Sequence, residues 1–151
     1  MSRVLIIAYG NPLRSDDGVA WRAAAALQQK FRASDVEVRC LHQLGPELAE
    51  AVSGVRTAIF IDASSEGEPG GVQCEPLRTE PAAVNRFGHA FSPATVMALA
   101  AQLYGSIPQA FCATVTGQNF SHGESLSVAV EAALPVLVRR IEQMVQSFLN
   151  S

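Results

Sequence analysis

The sequence predicts an α/β domain, a three-layer α/β/α sandwich around a twisted, largely parallel five-stranded sheet. Three observations predict it. Apolar runs of strand length at residues 4–8, 57–63 and 109–117 are continuous rather than alternating, as strands buried on both faces require. Between them lie segments whose apolar residues recur at helical spacing. Strands alternating with helices in this way build a parallel sheet covered on both sides.

Each element can be justified in turn. Residues 4–8 (VLIIA) form the first buried strand, and from about Asp17 to Phe31 the residues Val19, Ala20, Ala23, Ala24, Leu27 and Phe31 mark one helical face. VEVRCL (36–41) alternates, which places it nearer an edge of the sheet. GPELAEAVSG (45–54) is a short helix with Pro46 early and Gly54 as its stop, and TAIFIDA (57–63) is a buried strand. GVQCEPLR (71–78) is a weaker strand entered through the Pro69-Gly70-Gly71 turn. FSPATVMALAAQLYG (91–105) is a helix with a Ser92 cap, Pro93 in its first turn and Gly105 just past its end. QAFCATVTG (109–117) is the last strand, and residues 126–149 form a long amphipathic helix that Pro135 would kink or restart.

The 151 residues suit a single domain spanning 1–151, and no repeat or linker divides them. With a net charge of −3 the chain offers no basic field for nucleic acid or an anionic membrane. No apolar run approaches the roughly 20 residues that cross a bilayer. MSRVLIIAYGN runs straight into a turn and reads as a core strand rather than a targeting segment, so a cytoplasmic location is expected. Cys40, Cys74 and Cys112 are odd in number and lack CxxC spacing, which argues for reduced thiols over disulfides or a thiolate zinc site.

In parallel sheets, ligands gather where the strands end, and three stretches place polar residues there. Gly10, Asn11, Asp16 and Asp17 follow the first strand, Asp62 ends the third, and His89 precedes the capped helix. If the first and third strands are neighbours, Asp17 and Asp62 open onto one crevice. Each residue also has a plainer structural role available. Asp16 and Asp17 can be favourable charges at a helix N-terminus, with Ser15 as its cap. Asp62 can close a turn on backbone amides, and His89 can be an ordinary loop residue, as His42 and His122 are expected to be. Taken together, two carboxylates and an imidazole form a mixed oxygen and nitrogen donor set suited to a borderline divalent cation. No phosphate-binding loop, dinucleotide fingerprint or GxSxG elbow is present, and nothing marks Ser64 or Ser65 as activated.

GNPLRSDDGVA resembles the glycine–asparagine–acid motif of the hydrogenase maturation endopeptidases, which process the large subunit of nickel-iron hydrogenases. HQLGPELAE (42–50), IFIDA (59–63), GHAFSPATVMALA (88–100) and GESLSVAV (123–130) follow in that family's order and at about its spacing. The resemblance covers nearly the whole chain and implies an α/β/α sandwich. It implies Asp17, Asp62 and His89 as both metal contacts and catalytic residues, with Asn11 and Asp16 as supporting neighbours. Asp17→Asn should then abolish processing, while Asp16→Asn should retain substantial activity. The implied activity is nickel-dependent endoproteolysis that removes the C-terminal extension of the precursor after nickel insertion. The implied metal is nickel supplied by that precursor partner, not held tightly by the isolated chain. Two other readings remain open: a non-catalytic factor that binds the nickel site, and a metal-dependent hydrolase of small molecules. Ala20, where relatives often carry Gly, and Tyr9, ahead of the Gly10–Asn11 turn, depart from the family pattern.

Overall fold

A computed structural model describes residues 3–32, 35–77 and 91–150. Its strands are β1 (Val4–Tyr9), β2 (Val36–Leu41), β3 (Thr57–Ser64), β4 (Val72–Pro76) and β5 (Gln109–Thr116). Its helices are α1 (Val19–Lys30), α2 (Leu48–Ser53), α3 (Pro93–Tyr104) and α4 (Val128–Leu149). The strands form one sheet in the order β2-β1-β3-β5-β4, with β4 alone running antiparallel, against β5. The seven residues between β3 and β4 are too few for a parallel crossover, which needs about a dozen. The chain therefore turns at the carboxyl end of the sheet and comes back down its edge. The alternating strand 36–41 lies at the other edge, as its pattern requires.

The pleat sorts the central strands between two cores. Val4, Ile6, Ala8, Ile59 and Ile61 pack with α1 and α4, while Leu5, Ile7, Ala58 and Phe60 pack with α2 and α3. This is the expected three-layer arrangement. Alanines 20, 23 and 24 are fully buried on α1, and their small side chains let the helix sit close to the sheet.

Helix ends decided by local chemistry match the expectation. Ser92 accepts a hydrogen bond from the Thr95 amide at 3.1 Å, and Gly105 takes the left-handed conformation (φ +71°) that ends α3. Two elements differ. The helix expected over 45–54 begins only at Leu48, because Gly45–Glu47 forms a tighter turn with Leu48 N–H on the Gly45 carbonyl at 3.2 Å. α4 runs unbroken through Pro135. The carbonyl that Pro135 leaves unbonded belongs to Glu131, and both residues are exposed, so water can satisfy it.

Candidate active site at the carboxyl end of β1 and β3

β1 and β3 are parallel neighbours, with Ala8 opposite Ile61, so the next residue on each strand, Tyr9 and Asp62, stands at the carboxyl rim. Both point to the α2/α3 face, as the alternation along each strand dictates. Asp17 reaches the same rim from a tight return. After β1 the chain turns at Gly10 (φ +146°), where an added Cβ would lie 2.3 Å from the Asp17 carbonyl oxygen. Only glycine fits there. The Asn11 amide then donates to Asp17 Oδ2 at 2.7 Å, while Asn11 Oδ1 accepts from the Leu13 amide at 2.9 Å. Asn11 thus supports Asp17 through its backbone and closes the turn with its side chain.

Asp62 is half-buried, with Oδ1 accepting from the Ala63 amide at 2.7 Å. Burial pushes its carboxyl up to about 6; bonds from Tyr9 and Ala63 oppose that rise, and the charge of Asp17 adds to it. The charge of Asp17 thus reaches Asp62 at the same rim. Tyr9 hydrogen-bonds Asp62; burial, followed by that carboxyl's charge, holds its phenol well above the usual tyrosine range. The phenol stays protonated and serves as a donor. Sequence reasoning took Tyr9 only as a departure from a motif, although its place two residues beyond Ile7 on one face was a readable signal.

Asp16 turns the other way. It is fully buried, and its carboxylate accepts from Ser127 N–H (2.7 Å) and Oγ (2.8 Å) and from the amides of Gln118 (2.7 Å) and Asn119 (2.9 Å). Burial alone would raise its carboxyl, but these donors, led by the Ser127 amide, hold it below the ordinary value. The helix-end role expected for this acid is real but belongs to a different helix. Asp16 sits at the start of α4, across 111 residues of chain, rather than capping α1. With both oxygens engaged, Asp16 is a structural latch, and Asp17 is the acid whose charge reaches Asp62. Ser15 does not cap α1 either. Residues Ser15–Gly18 form a 3₁₀ turn, Ser15 adopts φ +51°, and its hydroxyl donates to the Ser121 carbonyl at 2.8 Å.

His89 lies outside the described residues. Among the described residues, no three His, Cys, Asp or Glu side chains gather closely enough to hold a metal. His122 is exposed, as expected; His42 is exposed too, but its ring meets Trp21 edge-on at 5.3 Å. The cysteines are poor nucleophiles. Burial raises all three thiols, and Cys112, further raised by Asp62 and Glu75, reaches about 11.

No protein-family model matches the sequence, and no curated protein does. Solved structures match over nearly the full chain. The hydrogenase maturating endopeptidase HybD from E. coli superposes with a TM-score of 0.77 at 24% identity, covering 96% of this chain and 93% of that one. The protein has the hydrogenase maturation endopeptidase fold. The [NiFe] hydrogenase maturation protease HycI from Thermococcus kodakarensis shares this fold (TM-score 0.74, 19% identity, 96% and 93% coverage). HybD from the same organism does so as well (0.69, 23%, 94% and 98%). In this fold Asp17 and Asp62 lie at the carboxyl end of the sheet, where open α/β sheets take their ligands. No described helix is long and apolar enough to cross a membrane.

Proposed function

We propose that the protein is an endopeptidase that removes the C-terminal extension of a nickel-iron hydrogenase large-subunit precursor once nickel is in place. One observation carries the reading. On a fold shared across nearly its whole length with maturation endopeptidases, the chain brings Asp17 and Asp62 together at one rim and turns Asp16 away from it. In this reading Asp17, Asp62 and His89 contact nickel that the precursor itself holds, and they are the catalytic residues. The metal would polarise the scissile carbonyl or activate water beside it. The protein's part is to orient: Asn11 holds the Asp17 carboxylate, and Tyr9 and the Ala63 amide hold that of Asp62. An aspartate pair without a thiolate makes an open, weak site, which suits a metal that arrives with its substrate. Such an enzyme would work in the cytoplasm, where precursors are assembled.

The test mixes chelator-treated protein with nickel-loaded and nickel-free precursor and follows release of the C-terminal peptide. Cleavage of the loaded precursor alone is expected. Efficient cleavage of the nickel-free form refutes the dependence on nickel. Binding of the loaded form without cleavage would make the protein a factor that inspects the nickel site.

A further inference from the structure

Asp17 is borne by a single 3₁₀ turn, and a carboxylate on so short an element keeps one orientation only if something holds it. Its Oδ2 accepts from the Asn11 amide at 2.7 Å. That N–H belongs to the peptide unit joining Gly10 to Asn11. The carbonyl of the same unit, Gly10 C=O, accepts from the indole Nε1–H of Trp21 at 2.9 Å. The unit is trans, so its C=O and N–H point in opposite directions. The indole on one side and the carboxylate on the other pin a single plane.

We propose that Trp21 is a positioning residue for Asp17, acting through the Gly10–Asn11 peptide. The restraint is needed because this peptide follows a glycine, whose backbone rotates more freely than any other residue's. The last bond to β2, Gly10 N–H on the Leu41 carbonyl at 3.1 Å, belongs to the preceding peptide unit and does not fix this plane. Trp21 is well placed for the task. It projects from α1, half-buried, and its ring meets that of His42 in a T-shaped contact, centroids 5.3 Å apart. This gives the exposed His42 a role that its sequence neighbourhood did not suggest. The effect on cleavage rests on the proposed metal contact of Asp17, whereas the relay from Trp21 to Asp17 does not.

The test reads both ends of the relay by NMR in the full ¹⁵N-labelled chain. Trp21→Phe keeps an aromatic side chain on α1 and removes the indole N–H. The Asn11 amide proton should move upfield and exchange with solvent about tenfold faster, as the loss of one hydrogen bond would give, while the amides of Ile6 and Ile7 stay unchanged. Reciprocally, Asp17→Asn should shift the Trp21 indole proton. Trp21 is the only tryptophan in the chain, so that proton gives one unambiguous signal. If Trp21→Phe fails to fold, Asp17→Asn alone decides. In a folded variant, an unmoved Asn11 amide or an unmoved indole proton overturns the proposal. Cleavage of nickel-loaded precursor by Trp21→Phe should fall roughly ten- to a hundredfold, the usual cost of losing a group that holds a metal ligand. Should the unaltered protein cut no precursor, the proposed function fails, and the two resonances still settle the role of Trp21.

Discussion

Replacing Asp16 with asparagine exchanges one oxygen for an NH2 group in a side chain that is fully buried and bonded through both oxygens. An amide oxygen in place of Oδ2 keeps the Gln118 and Asn119 amides and the Ser127 hydroxyl. The amide nitrogen then faces the Ser127 N–H, donor against donor. The bond lost there had a charged acceptor, worth about 1.5–3 kcal/mol, and stranding a buried donor costs about 1–3 kcal/mol more. Removing a negative charge from the start of α4 adds roughly 0.3–1 kcal/mol. These contributions overlap, so the expected loss is about 3–5 kcal/mol, a large share of the roughly 5–15 kcal/mol that holds a domain together. Urea unfolding followed by circular dichroism at pH 7 measures it as a lower midpoint at unchanged slope. The pH dependence has a definite sign. The folded-state carboxyl is held below its ordinary value, so its contribution is present above that value and lost as pH falls through the lowered one. The gap between wild type and variant should therefore stay constant down to the ordinary carboxylate range and narrow below it. A loss under about 1 kcal/mol, the worth of a single ordinary hydrogen bond, would refute the latch. Activity lost by Asp16→Asn should return on cooling, whereas Asp17→Asn should stay inactive.

Asp62→Asn should act in the opposite sense. The carboxyl is raised from 3.8 to about 6, so its penalty is absent below the ordinary value and grows as pH rises through the folded one. The variant should melt at a higher temperature than wild type at pH 8, by up to about 3 kcal/mol of stability, and at the same temperature at pH 3.5. Gly10→Ala should cost more than about 3 kcal/mol in the urea assay, because the new methyl meets the Asp17 carbonyl in a backbone conformation that disfavours any side chain. Cys112, with its thiol near 11, should react with iodoacetamide at pH 7.5 at least about tenfold more slowly in the folded protein than in urea.

Much of this architecture was legible because its causes are local. The buried strands announce themselves as unbroken apolar runs, and Ser92 and Gly105 bracket α3 through bonds made within a few residues. Asp17 and Asp62 were legible as a pair because parallel neighbours bring their carboxyl ends together. What escaped was whatever depends on distant chain. Nothing near Asp16 in sequence marks Ser127, Gln118 and Asn119 as its partners, so a helix-end charge was the natural reading. Ser15 fails as a cap for the same reason, since its hydroxyl is taken by Ser121. Tyr9 looked like noise in a motif because its partner lies on another strand.

The latch at Asp16 also bears on when the crevice comes into being during synthesis. The segment carrying Asp17 is among the first made, yet Ser15 and Asp16 are tied to residues 119–127 by contacts spanning more than a hundred positions. Arg3, at the foot of β1, likewise donates to the carbonyls of Phe148 and Leu149 at the far end of α4. Loop closures this long come late in folding. A nascent chain that stops before residue 118 can pair β1 with β3 but offers Asp16 none of its four donors from Gln118, Asn119 and Ser127. The bonds that hold the Ser15–Asp16 segment are therefore complete only once residues 118–127 have joined it.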